Sequence, residues 1–234
     1  MGERLDKFLA SQGLGTRKEV GKLIRSGAVL VNGAPQRDPS AKVEPGADQV
    51  TAQGEEIRYQ EFLTIMLNKP AGVLSATEDR RQKTVLDLLP EGLRRRGLFP
   101  AGRLDKDTTG LLLITDDGEL AHKMLSPKSH VYKQYRAQLD APVEEADIQA
   151  FAAGVAWEGE QYAPARLWVE QDPRAAFVEI REGRFHQVKR MFQARGKTVL
   201  QLKRLKIGGL WLDSTLQEGE CRLLTPQEIQ AIFH

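Results

Sequence analysis

The sequence predicts an α+β fold in two modules, residues 1–59 and residues 60–234. Three observations support it. The first sixty residues hold a helix pair and a hairpin, followed by a polar stretch, Gly54–Glu61, suited to a linker. From Phe62 onward, strand-like and helix-like runs mix. Several of those strands stand at hairpin-like separations, which favours a mixed but mainly antiparallel sheet. The 234-residue length suits one or two domains with a real core.

In the first module, Leu5, Phe8 and Leu9 recur at helical spacing. Thr16 precedes Arg17-Lys18-Glu19-Val20 and reads as an N-cap with a glutamate at the third helical position. Val20, Leu23 and Ile24 form the apolar face of that helix; Arg17, Lys18, Lys22 and Arg25 form its basic face. Ala28–Val31 reads as a strand, with Asn32-Gly33 as its tight turn. In the second module Leu63–Leu67, Leu111–Thr115, Tyr132–Leu139, Arg166–Val169 and Ala176–Ile180 read as strands. Val85–Leu89, Glu119–Leu125, Val143–Gly154 and Gln187–Ala194 read as helices.

The most informative run is 102–118, Gly-Arg-Leu-Asp-Lys-Asp-Thr-Thr-Gly-Leu-Leu-Leu-Ile-Thr-Asp-Asp-Gly. Its apolar block has the length of a buried strand and is bounded by turn-formers on both sides. Arg103 and Asp105 therefore sit on a loop held by a rigid strand, where chemistry tends to be placed. Spacing alone does not separate Asp105 from Asp107.

A net charge of +2 hides an asymmetry. Residues 181–206 hold nine Lys or Arg against one acid, Glu182, so this segment carries +8 and the remainder −6. Such a concentration is the footprint of a polyanion site. Phe185, Val188, Met191 and Phe192 interleave with the charges and are expected to pack part of the segment inward. Nucleic acid fits better than a phosphorylated small molecule, because there is no Gly-rich phosphate loop. The single cysteine, Cys221, excludes an internal disulfide. The four histidines, at 122, 130, 186 and 234, form no ligand-spaced cluster with it, so neither metal nor cofactor is expected. No apolar run approaches a membrane span and the N-terminus is charged rather than signal-like, so a cytoplasmic protein is expected.

Gly102-Arg103-Leu104-Asp105, with Thr109-Gly110-Leu111 and the Thr115–Gly118 turn, resembles the catalytic segment of pseudouridine synthases of the RsuA and RluA type. Leu67-Asn68-Lys69-Pro70-Ala71-Gly72 is similar to the family's first motif, and Lys133-Gln134-Tyr135 to its Lys-x-Tyr strand. Residues 182–192, Glu-Gly-Arg-Phe-His-Gln-Val-Lys-Arg-Met-Phe, resemble the third motif. Lys206-Ile207-Gly208-Gly209-Leu210 resembles the closing segment. Residues 4–10, the Thr16-Arg17 helix start and Gly27–Gly33 resemble the S4 RNA-binding domain. With that module in front, the chain resembles the RsuA branch.

The resemblance implies a pseudouridine synthase domain with a mixed, mainly antiparallel sheet, flanking helices and a central cleft. It implies isomerisation of a uridine without metal, redox step or nucleotide. Asp105, directly after Gly-Arg-Leu, is implied as the reacting carboxylate, at the sugar or at the base; Asp107 is expected to be an Asx-type turn residue. Lys189 is implied as its counter-charge, where related enzymes often carry Arg, with Arg190 as the fallback. Tyr135 is expected against the target uracil and Ile207 on the other face of the base. Arg103 is expected to fill the space left by the everted nucleotide or to hold a flanking phosphate. Arg184, His186, Gln187 and Arg190 are expected RNA contacts, joined by Arg17, Lys18, Lys22 and Arg25 of the S4-like module. Arg94-Arg95-Arg96 is a further candidate for that surface. The branch implies a monomer acting on 16S rRNA, at uridine 516, or on a small-subunit assembly intermediate. The competing readings are a 23S rRNA synthase of the same branch, a non-catalytic rRNA-binding assembly factor, and an isomerase of phosphorylated sugars.

Overall fold

The computed structural model describes residues 2–57, 59–95 and 97–234. Two compact units are present: Met1–Phe62 with Leu89–Leu98, and Leu63–Leu88 with Phe99–His234.

The first unit runs β1 (Glu3–Arg4), α1 (Leu5–Ser11), α2 (Arg17–Ser26), β2 (Val29–Val31), β3 (Ala34–Pro35), β4 (Lys42–Val43), β5 (Val50–Ala52) and β6 (Glu55–Ile57). The anticipated cap is present at α2. Thr16 Oγ1 accepts from the Glu19 N–H, and the Glu19 carboxylate accepts from the Thr16 N–H at 2.8 Å. Asn32 and Gly33 both take positive φ, 50° and 80°, and turn β2 into β3. Strands β3, β2, β5 and β6 form an antiparallel sheet in that order. Strand β6 lies inside the stretch expected to be a linker. Leu5, Phe8, Leu9, Val20, Ile24 and Val29 fill the core beneath. Asp6 is nearly buried and accepts from both Arg4 and Arg17, each at 2.9 Å. Those guanidinium hydrogen bonds, Arg4 first, hold its pKa down to about 2. In the Leu89–Leu98 segment, Arg94 donates to the Leu89 carbonyl, and Arg95 donates to the carbonyls of Ser11, Gln60 and Glu61. These two arginines therefore tie backbone within the unit, while Arg96 lies outside the described residues.

The second unit continues with β7 (Thr64–Lys69), β8 (Phe99–Ala101), β9 (Thr109–Thr115), α3 (Gly118–Leu125), β10 (Lys133–Leu139), α4 (Glu145–Ala153), β11 (Ala156–Trp157), β12 (Glu160–Gln161), β13 (Arg166–Val169), β14 (Ala175–Ile180), α5 (Gln187–Gln193), β15 (Val199–Ile207), β16 (Leu210–Trp211), β17 (Cys221–Leu223) and α6 (Pro226–Ala231). Its main sheet has the order β13-β14-β10-β15-β9-β7-β17, with β8 on β9 and β16 on β15. Among the described residues every pairing in it is antiparallel except β9 with β15. The expected helix at Val85–Leu89 is a 3-10 turn over Val85–Leu88.

Strand β9 positions everything that follows. Leu111 and Leu113 face a core containing Met66, Ala121, Met124, Ile207 and Ile232. Leu112 and Ile114 alternate to the opposite face and are equally buried, so both faces of this strand are covered. Asp116 accepts from the Leu63 N–H, and Asp117 caps α3 by accepting from the Glu119 and Leu120 N–H groups. Gly110 opposes Arg204 where β9 meets β15. Its φ is +97°, and a Cβ at this position would overlap the Arg204 carbonyl oxygen. Only glycine lets the two strands approach there. Phe151 of α4 packs on Phe192 of α5, centroids 4.9 Å apart. Among the described residues no helix is long and apolar enough to cross a membrane.

Candidate active site

Residues 102–108 form the loop that enters β9, and its base is built on Lys69. This lysine ends β7 and is fully buried. Its ammonium lies 3.0–3.2 Å from the carbonyl oxygens of Pro70, Asp105, Lys106 and Thr108. A buried cation normally needs a carboxylate partner; here the loop's own carbonyls supply the negative ends of their dipoles. Burial pushes the pKa of Lys69 down to about 8, against the opposing pull of Asp107 and Asp105. Ser75 adds a second tie, donating to the Leu104 carbonyl at 2.8 Å and accepting from the Leu104 N–H at 3.1 Å.

On this loop the Asp105 carboxylate is 25% exposed and meets α5. Lys189 Nζ stands 3.1 Å from Asp105 Oδ2 and 2.6 Å from Asp107 Oδ1. His186 Nε2 stands 3.6 Å from Asp105 Oδ1. Burial alone would lower the pKa of Lys189, but its hydrogen bonds to Asp107 and Asp105 outweigh that and raise it. The Lys189 hydrogen bond holds Asp107 below the usual carboxylate range. The structure therefore corrects the reading of Asp107: its side chain bridges to the cation from a position 74% exposed, and closes no Asx turn. A lysine ammonium is a compact charge with three donors, so one Lys189 serves two carboxylates where a fork-shaped arginine would grip one.

Tyr135 is nearly buried on β10 and makes no hydrogen bond to Asp105 or Lys189. Its hydroxyl accepts from Arg204 Nη1 at 3.3 Å. Arg204 Nε donates to the Leu111 carbonyl at 2.8 Å, on the strand that carries the Asp105 loop. Its Nη2 is buried without a protein partner among the described residues. Lys133, two residues before Tyr135, is also buried; desolvation first, then the charge of Arg204, pushes its pKa down to about 8. Lys69 and Arg204 are thus site-building residues to which the sequence alone assigns no role. Their signal is present in the Asn-Lys-Pro motif and in the +8 segment, but their partners are backbone carbonyls, which leave no trace in side-chain pattern.

Several expected contacts are corrected. Ile207, expected on the other face of the base, is 1% exposed and packs in the main core with Met66 and Leu113. Gln187 is buried; its side chain accepts from the Arg184 N–H and donates to Glu182. Arg195 and Lys197 both bind Asp147, at 2.9 and 2.8 Å. Burial raises the pKa of Asp147, but these bonds and the Glu144 N–H outweigh it and leave it lowered. With Arg204 inside as well, the +8 segment is only partly a surface. Phe185 does the opposite of what is expected: Val188, Met191 and Phe192 pack inward, but Phe185 is 61% exposed. Arg103 is exposed and has no partner among the described residues. Arg184 donates to the Gln161 carbonyl, and Arg190 reaches Glu160 and the Tyr162 hydroxyl. In the first unit Arg17, Lys18, Lys22 and Arg25 are exposed on α2. With Arg4 they, except Lys22, line a concavity of about 370 Å³.

The model of the RNA pseudouridylate synthase family matches residues 63–194, and that of the S4 domain matches residues 3–48. An uncharacterized RNA pseudouridine synthase of Bacillus subtilis (strain 168), YtzG, is 46% identical over 98% of both chains. The ribosomal small subunit pseudouridine synthase A of Escherichia coli (strain K12) is 42% identical, over 98% of this chain and 99% of its own. A crystal structure of a pseudouridylate synthase, 40% identical, superposes with a TM-score of 0.67 and covers 98% of this chain and 99% of that one.

Proposed function

The chain belongs to the RNA pseudouridylate synthase family, and on that premise we propose that it converts one uridine of 16S rRNA, the uridine expected at position 516, to pseudouridine. Its likeness to the small-subunit synthases supports the small-subunit target. The N1–C1′ bond breaks, the uracil turns while held, and C5 bonds to C1′. The proton that leaves C5 is balanced by one gained at N1.

One observation carries the assignment of roles: a carboxylate from the β8–β9 loop and an ammonium from α5 meet at 3.1 Å on a partly open surface. Asp105 is the reacting group. It acts at C1′, at the uracil ring or on the C2′ proton; each route uses this oxygen with a cation beside it. Lys189 supplies that cation. Tyr135, held by Arg204, borders the uracil. A uridine in folded RNA must leave its stack, which costs a few kcal/mol. Exposed Arg103 lies two residues from Asp105 and takes the vacated space or a flanking phosphate. The basic face of α2 adds contacts to phosphate that position the RNA without reading its bases. We place the reaction in the cytoplasm, with a monomer acting on 16S rRNA or a small-subunit assembly intermediate.

The test is chemical mapping of pseudouridine across both rRNAs in cells lacking the protein. One 16S site should disappear and return with the wild-type chain, but not with Asp105→Asn. Loss of a 23S site instead would reassign the target. An unchanged map would reject the reaction.

A further inference from the structure

Phe185 directly precedes His186, the residue whose Nε2 lies 3.6 Å from Asp105. Its phenyl ring is the second most exposed of the large apolar side chains among the described residues, after Leu200. It is not an isolated surface residue. Its ring stacks on the His186 imidazole, with centroids 3.8 Å apart and planes 18° from parallel. The Arg190 guanidinium stands 5.1 Å from its centroid. His186 holds this arrangement with a left-handed backbone, φ +51°, a conformation non-glycine residues adopt at a cost. A flat, solvent-facing aromatic beside a cation, contiguous with the candidate reacting carboxylate, has the chemistry of a nucleobase platform. Every base offers a π-face, and Arg adds a cation toward phosphate or ring.

We propose that Phe185 stacks on the nucleobase adjacent to the target uridine in the RNA strand. The inference rests on the reaction proposed above. Tyr135 is nearly buried and is assigned above to the everted base, whereas Phe185 faces solvent, which suits a neighbouring base that stays outside. The platform fixes the strand on one side of the everted nucleotide and so contributes to site choice through stacking strength.

The full-length protein is tested on an RNA fragment spanning the mapped uridine, with 2-aminopurine at the nucleotide on its 5′ side and, separately, on its 3′ side. Wild type should quench the fluorescence at one of the two positions. Phe185→Leu, which keeps an apolar side chain on an exposed site, should abolish that quenching and weaken kcat/KM about 5- to 150-fold. Phe185→Tyr should retain both. Thermal melts of the variants should match wild type. Equal quenching and equal kcat/KM in Phe185→Leu would overturn the platform while product formation by wild type upholds the reaction. Phe185-dependent quenching without any product would do the reverse.

Discussion

Lys189 is shared by two carboxylates of unequal standing, and its substitutions should separate them. Lys189→Met should lower single-turnover rates by about 10- to 150-fold, the range expected when a charge-assisted hydrogen bond is removed. Lys189→Arg should recover most of that. Asp107→Asn should cost less than about tenfold, because Asp107 is largely solvated and Asp105 keeps the cation. The bridge should persist across neutral pH. Lys189 is raised, so its contribution fades only above about 10.5; Asp107 is lowered, so its share disappears only as the pH falls below about 3.8. Lys133 behaves oppositely. Its pKa is depressed to about 8, so the folded state carries a penalty below that pH, and the penalty is relieved as pH climbs toward 10.5. Lys133→Met should therefore be more stable than wild type at pH 7, by up to about 3 kcal/mol, with the advantage gone by about pH 10.5. Urea unfolding across that range measures it. At this scale the meeting of Asp105 with Lys189 is legible because each lies in a motif. Arg204 is not, because it is one basic residue among nine until the fold turns it inward.

At the scale of elements, caps and turns are legible because their chemistry is local. Thr16 with Glu19 and Asn32 with Gly33 each specify their own backbone. Strand β15 is not legible. Lys203, Arg204 and Lys206 interrupt its apolar pattern, and only the β9 and β10 neighbours make it a central strand. Its parallel pairing with β9 depends on Gly110, so Gly110→Ala should destabilise the chain by at least about 2 kcal/mol in urea. In the first unit Asp6 clasps Arg4 of β1 and Arg17 of α2. Because its pKa is lowered to about 2, its stabilisation is present in full above about 3.8 and vanishes as pH falls through 2. Asp6→Asn should cost about 2 kcal/mol at pH 7, and urea unfolding of the two proteins should converge in strong acid.

At the scale of the molecule, the charge asymmetry is legible and its use is not. Part of the +8 segment holds Asp147 and Tyr135 in place, so fewer cations face RNA than the composition suggests. Lys18, Lys22 and Arg25 remain outward on α2. Converting all three to alanine should flatten the log–log salt dependence of RNA binding by about 0.7 for each phosphate that is no longer neutralised. An unchanged slope would place the phosphates elsewhere.

The Leu89–Leu98 excursion gives the N-terminal unit a discontinuous sequence. Excising it with one cut after Phe62 would discard Arg95 and leave the carbonyls of Ser11, Gln60 and Glu61 without their donor. Any transplant of this unit onto another enzyme must carry both stretches, so inheritance by simple end-to-end fusion of its first sixty residues would deliver an incomplete part.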